Sequence, residues 1–185
     1  MAIVINGSGT VTGLAVGGLP DGTVDAGTLA TDSVTAAKLE VSAITGADLP
    51  AGSVLQVVSV ANGTTESSTS GSWVAHSGLT AAITPSASSN KILVTIAFSY
   101  RTANGTNNFN SAIYRGSTNL GHATHGFGTM FDGNSYYQGH ATLQFLDSPS
   151  TTSATTYQLY YKGSTTTTIN TDSGVGTITL MEIAV

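Results

Sequence analysis

The residues with the most chemical potential cluster late in the chain. His122 and His125 stand three apart in Gly121-His122-Ala123-Thr124-His125-Gly126, and His140 follows. On a strand that spacing sends the two rings to opposite faces; on a loop or across an oligomer axis they can converge on a metal. The glutamate of a zinc-peptidase helix is absent and glycine flanks both sides, which excludes that hydrolysis. The flanking residues favour ordinary polar loop or interface histidines. Asp132 and Asp147 lie near these histidines, but no Gly-x-Ser-x-Gly elbow presents a serine nucleophile. Glu66, Asp132, Asp147, Asp172 and Glu182 are dispersed, whereas glycoside hydrolysis needs two carboxylates facing each other. Cysteine is absent, so there is neither a thiolate nor a disulfide framework. The expectation is a protein that is not an enzyme, with no catalytic residue, no cofactor and no metal.

Binding chemistry is better represented. The stretch 125–138 carries Phe127, Phe131, Tyr136 and Tyr137 among Asp132, Asn134 and Gln138. Aromatic faces stack on sugar rings, and carboxamides and carboxylates pair with hydroxyls, so this composition suits glycan recognition. Phe131, Asp132, Asn134, Tyr136 and Tyr137 are the candidate receptor-binding residues. The competing role for Phe127, Phe131 and one tyrosine is to fill a core or a subunit interface. Trp73 is expected in the core. Arg101 and Arg115 are rare charges suited to anchoring interface pairs.

The chain that must position these groups has 185 residues, a net charge of -5 and only 8% charged residues, against roughly 25% in an average soluble domain. Serine (22), threonine (30) and glycine (22) supply the polarity instead. Five lysines and arginines cannot form the basic stripe that nucleic-acid binding requires. No apolar run reaches the ~18 residues of a membrane span, and residues 1–15 lack a basic start followed by an apolar stretch. Neither membrane insertion nor a signal peptide is expected.

Residues 1–50 contain no Phe, Tyr or Trp and hold Asp21, Asp25, Asp32, Glu40 and Asp48 against Lys38 alone. With so little large surface, this segment is not expected to close a core by itself. It is nevertheless patterned. Every fifth residue from Leu14 is Val, Ile or Leu: Leu14, Leu19, Val24, Leu29, Val34, Leu39, Ile44, Leu49 and Val54. A step of five stays on one side of neither a helix nor a strand. A square β-solenoid of pentapeptides would accommodate it, but its usual neighbours appear cleanly only at Ala47-Asp48-Leu49. A threefold bundle of extended chains fits better, with one apolar residue per step at the axis and small residues admitting close backbones. The first eight positions, Leu14 to Leu49, are the expected trimer-axis packing.

Beyond residue 52 the pattern is of strands, at 54–60, 73–75, 79–83, 91–100, 110–115, 135–146, 156–162 and 177–185, separated by Gly, Asn, Ser and Thr clusters. No helical periodicity appears, so the expected fold is all-β, an antiparallel jelly-roll-like β-sandwich over 52–185 preceded by an extended, intertwined N-terminal arm over 1–51. The last stretch, 177–185, is apolar to its final residue and is expected to pair within a sheet or against neighbouring subunits.

The opening Met1-Ala2-Ile3-Val4-Ile5-Asn6-Gly7-Ser8-Gly9-Thr10-Val11-Thr12-Gly13-Leu14, the unit Asp32-Ser33-Val34-Thr35-Ala36-Ala37-Lys38-Leu39, and the segments Pro50-Ala51-Gly52-Ser53-Val54-Leu55-Gln56-Val57-Val58 and Gly78-Leu79-Thr80-Ala81-Ala82-Ile83-Thr84-Pro85-Ser86 resemble short tail-fibre proteins of tailed bacteriophages. The resemblance implies a virion structural protein on the exterior of the tail or capsid. It also implies a homotrimer, an arm docked on other virion proteins, and a knob that contacts a host surface glycan without enzymatic activity. This chain has little shaft, so a head fibre or capsid decoration protein without receptor binding stands as the alternative.

Overall fold

The computed structural model describes residues 4–5, 11–12, 31, 34–35, 44–103, 106–133 and 136–185. By contacts the chain divides into two units, Met1–Ile44 and Thr45–Val185. Residues 45–51, expected in the arm, fall by contacts in the unit that holds the β-sandwich, and next to them the Gly52 amide donates to the carbonyl of Ala184 at 2.9 Å. In the first unit β1 (Val4–Ile5) pairs antiparallel with β2 (Val11–Thr12). Of the five-residue series, Leu14, Leu19, Val24, Leu29 and Leu39 lie outside the described residues; Val34, Ile44, Leu49 and Val54 are exposed.

The second unit opens on a single 3-10 turn, Gly46–Asp48, and continues through β3 (Val54–Asn62), β4 (Glu66–Ser68), β5 (Val74–Ile83), β6 (Lys91–Thr102), β7 (Thr106–Arg115), β8 (Thr118–Asn119), β9 (Gly128–Gly133), β10 (Tyr137–Asp147), β11 (Thr155–Lys162), β12 (Thr167–Ile169) and β13 (Gly176–Ile183). One sheet runs β3–β13–β6–β10, with β12 taking the place of β13 at the far end of β6 and β4 beyond it. The other runs β5–β11–β7, with β8 and β9 sharing the outer edge of β7. All pairings between these strands are antiparallel, and a single parallel bridge joins Ser111 to Gly126. With β3/β4, β8/β9 and β12/β13 each taken as one position in chain order, the sheets read 1-8-3-6 and 2-7-4-5, the order of a jelly roll. The all-β sandwich expected from the alternating runs is therefore the fold of this unit.

Strict alternation builds the core. Ile92, Val94, Ile96, Phe98 and Tyr100 of β6 and Ile178 and Leu180 of β13 face Tyr157, Leu159 and Tyr161 of β11, all essentially inaccessible. Each such side chain contributes roughly 1.5–3 kcal/mol on burial. Differences from expectation have local causes. Segments 73–75 and 79–83 form one strand, because residues 76–79 bulge opposite Leu159 and the His76 ring staples that bulge. Its Nδ1 accepts the amides of Gly78 (3.2 Å) and Leu79 (3.1 Å), which assigns the proton to Nε2, 3.2 Å from the Thr64 carbonyl. Trp73 is outside the sandwich rather than in its core, half-buried on the outer face of the second sheet. Strands β4, β8, β9 and β12 are too short or too polar to stand out in the sequence.

Alternation also places Glu182 of β13 inward, fully buried. No cation meets it. Its carboxylate accepts from the Ser86 amide (2.6 Å) and hydroxyl (2.8 Å), Asn90 Nδ2 (2.7 Å) and Gln56 Nε2 (2.6 Å). Burial pushes this carboxyl up, but the hydrogen bonds from Asn90, Gln56 and Ser86 outweigh it and hold it below the usual value. Burial holds His76 below its usual value against the opposing field of Glu66.

Both shifts make the fold acid-sensitive. The unfolded chain protonates His76 and Glu182 first, so stability falls as the pH drops below about 6.5 for the histidine and below about 4.5 for the carboxylate. In thermal melts, His76→Gln is expected to flatten the loss between neutral pH and about pH 5, and Glu182→Gln the loss below about pH 4.5. At neutral pH Glu182→Gln is expected to cost about 2 kcal/mol, since a carboxamide N–H then faces other donors. Melting curves for both variants that fall in parallel with the parent's would contradict these assignments.

Candidate binding face of the second sheet

On β9 the side chain of Met130 packs against the core, which turns Thr129 and Phe131 to the outer face. Register brings Asn110 and Asn108 of β7 opposite them, and Lys162 of β11 opposite Asn110. Together with His125 these side chains line an open hollow of about 480 Å³, within the range of small-molecule sites. Phe131 is 68% exposed there. An aromatic ring this open, on a regular strand, is a platform rather than core.

The polar wall is ordered. The Thr129 hydroxyl donates to Asn110 Oδ1 at 2.7 Å, so its oxygen accepts from His125 Nδ1 at 3.0 Å and leaves His125 Nε2 as an acceptor. Asn110 Nδ2 donates to the Asn108 carbonyl at 3.3 Å, and the Asn108 amide to Ser164 Oγ at 3.0 Å. Lys162 Nζ lies 4.7 Å above the Trp73 ring, whose Nε1 donates to the Ala123 carbonyl at 2.9 Å. Trp73 meets Tyr114 edge-on at 6.2 Å, and Tyr114 stacks on Tyr160 at 3.8 Å. This aromatic ladder stiffens the sheet beside the hollow.

Gly126 holds the loop that carries His125. Its φ is +61° and a Cβ there would collide with the carbonyl oxygen of Ser111 and the Trp73 ring. The close approach lets Gly126 and His122 exchange backbone hydrogen bonds at 2.8 and 2.9 Å, and lets the Phe127 amide reach Ser111. His122 Nδ1 accepts the amides of Thr124 and His125, both at 3.2 Å, and the two imidazoles stack at 5.2 Å. His122 Nδ1 is thus committed to its own turn. Among the described residues no three His, Asp or Glu side chains gather as a metal site.

The described members of the five residues singled out by sequence lie on different sheets. Phe131 lines the hollow; the Asp132 side chain and Asn134 lie outside the described residues. Tyr137 opens β10 in the other sheet and Tyr136 directly precedes it. There Arg101 Nη1 reaches the Tyr136 hydroxyl (3.3 Å) with its guanidinium 5.7 Å above the ring, and Tyr137 stacks on Tyr100 at 6.1 Å. Asn108, Asn110, Thr129 and Lys162 were not singled out, because only strand register joins them. The rare arginines pair within the chain: Arg115 with Asp147 at 2.8 Å, where the Tyr157 hydroxyl adds a 2.6 Å bond, and Arg101 with Asp172 at 3.8 Å.

Gly126→Ala is expected to destabilise the chain by about 3 kcal/mol or more in urea unfolding, because the methyl group meets backbone. Gly116→Ala, at φ +56° with open space around it, is expected to cost about 1 kcal/mol. Equal costs would contradict the packing described for the His125 loop.

No protein-family model and no curated protein matches this chain. Among solved structures it is similar to a chain of infectious bursal disease virus Gt strain, at 13% identity and a TM-score of 0.37 over 70% of this chain and 38% of that one. A chain of the Gx strain is similar at 11% identity and a TM-score of 0.38, over 70% and 36%. This chain spans less than two fifths of those virus chains, and no residue role is carried over from them.

Proposed function

We propose that this chain is a nonenzymatic adhesion module of a virus particle, a homotrimeric tail fibre whose jelly-roll knob binds a saccharide on the host surface. The observation that carries the binding part is the hollow over β7, β9 and β11. It offers an exposed aromatic face at Phe131, the carboxamide of Asn108, an imidazole acceptor at His125 and an ammonium at Lys162, over a floor held by the buried Asn110. That set matches the alternating apolar faces and hydroxyl edges of a sugar ring, and a nearby cation suits acidic sugars. The resemblance of residues 1–14, 32–39, 50–58 and 78–86 to short phage tail fibres supplies the setting. The uncharged Ser, Thr and Gly surface suits a part held outside the cell.

The test uses the full chain, fluorescently labelled, on an array of bacterial lipopolysaccharide and capsular oligosaccharides. The parent chain is expected to bind a subset of these glycans. Phe131→Ala is expected to weaken that binding at least about tenfold while the melting temperature stays unchanged, because the ring is exposed. No binding by the parent, or equal binding by Phe131→Ala, would contradict the adhesion reading. Immunogold labelling of particles tests the placement separately: label at the tail supports a tail fibre, and label over the head supports the decoration alternative instead.

A further inference from the structure

The hollow over the second sheet has a neighbour. The connection from β11 to β12, residues 163–166, crosses the ~10 Å between the sheets at one end of the sandwich, and it contributes Gly163 and Ser164 to that hollow. Thr166, two residues on, lines a second hollow of about 290 Å³ together with Arg101, Ala103, Tyr136 and Thr168. The crossing is pinned at both: the Asn108 amide donates to Ser164 Oγ at 3.0 Å, and the Ala103 amide to the Thr166 carbonyl at 2.9 Å. Ser164 and Thr166 are separated by at most ~7 Å of chain, so the two hollows adjoin around the rim of the sandwich.

The second hollow repeats the chemistry of the first. Tyr136, 55% exposed, presents an aromatic ring as Phe131 does, and Arg101 supplies a cation as Lys162 does. Among the described residues only Nη1 of that guanidinium is engaged, by the Tyr136 hydroxyl at 3.3 Å and by Asp172 at 3.8 Å. Both partners of the Arg101–Asp172 pair are exposed, and a pair so open is weak. The Nε and Nη2 donors are left to a ligand, in the fork geometry that matches a carboxylate. The chain has a net charge of -5 and five lysines and arginines, yet two of these cations stand in the two hollows, and no described carboxylate side chain lines either. We infer that the two hollows form one track for an acidic oligosaccharide, with the carboxylate of one sugar at Lys162 and that of another at Arg101. The inference rests on the saccharide reading of the first hollow and adds a second subsite, the charge of the ligand and its length. A single sugar fills one hollow, whereas a chain of sugars reaches both.

The test titrates the full chain with oligosaccharides, from disaccharides to octasaccharides, released from capsular and lipopolysaccharide glycans that contain uronic acids. The same oligosaccharides with their carboxyls reduced to alcohols differ in charge alone. Affinity is expected to rise at least about tenfold from the shortest to the longest acidic oligosaccharides as the second hollow fills, and to fall at least about tenfold on carboxyl reduction. Arg101→Gln is expected to abolish the gain with length and to leave the shortest oligosaccharides bound as by the parent. Asp172→Asn, which frees the guanidinium, is expected to tighten the longest roughly threefold, an effect that a merely structural Arg101 would not produce. Affinity independent of length, or Arg101→Gln indistinguishable from the parent, would overturn the second subsite and leave the first hollow standing. Reduced oligosaccharides bound as tightly as the acidic ones would overturn the anionic ligand. No binding of any oligosaccharide would overturn the saccharide reading and this inference with it.

Discussion

Strand β6 sets the constraint on which the rest of the sandwich depends. It is paired with β10 from Ile92 to Thr102 on one edge and with β13 and then β12 on the other, so its register is fixed from both sides. Side chains on a strand alternate with a period of two, and a slip of one residue would exchange its faces. Holding Ile92, Val94, Ile96, Phe98 and Tyr100 inward forces Leu93, Thr95 and Ala97 outward. One register thus creates both the buried core and an outer face whose uncharged rows lie between Lys91 and Arg101.

A chain this poor in charge must solve its buried polar problems with neutral partners. Glu182 is held by a serine, an asparagine and a glutamine. Asn170, fully buried at φ +54°, donates to the carbonyls of Asn62 and Thr64. His76 closes a bulge as a neutral ring. Charges are spent at only a few points, such as the Arg115–Asp147 pair over the Tyr157 hydroxyl, where the carboxylate and burial together raise the phenol well above its usual value. The abundant Ser, Thr and Asn residues therefore hydrogen-bond inside the sandwich as well as facing outward.

Much of this was legible in the sequence, and the exceptions have physical causes. The alternation in 91–100 and 177–183 is strong enough to identify β6 and β13 directly. The stretch 79–83 reads as a separate strand because Gly78 and the bulge interrupt the period; a Cβ at Gly78 would collide with Asn62. β9 reads as a loop because glycines bound it and its outward residues are mixed. Trp73 reads as core by size alone, yet its indole finds its partners, Ala123 and Tyr114, outside the sandwich. Phe131 was legible as a binding candidate from its polar-aromatic surroundings, and the structure exposes its ring. Asn108, Asn110 and Lys162 were not, since nothing in a single strand says which neighbour it will lie beside.

The two outer faces of the jelly roll emerge with different chemistry, one carrying uncharged rows between Lys91 and Arg101 of β6, the other aromatic, carboxamide-rich and hollowed. In the reading proposed here, a saccharide occupies the second. Hydroxyl-radical footprinting of the full chain, with and without a saturating oligosaccharide, tests that assignment. Phe131 is expected to react readily alone and to become protected when the oligosaccharide is added, while Leu146, exposed on the first sheet, is expected to react equally in both conditions. Phe131 indifferent to saccharide would contradict this account.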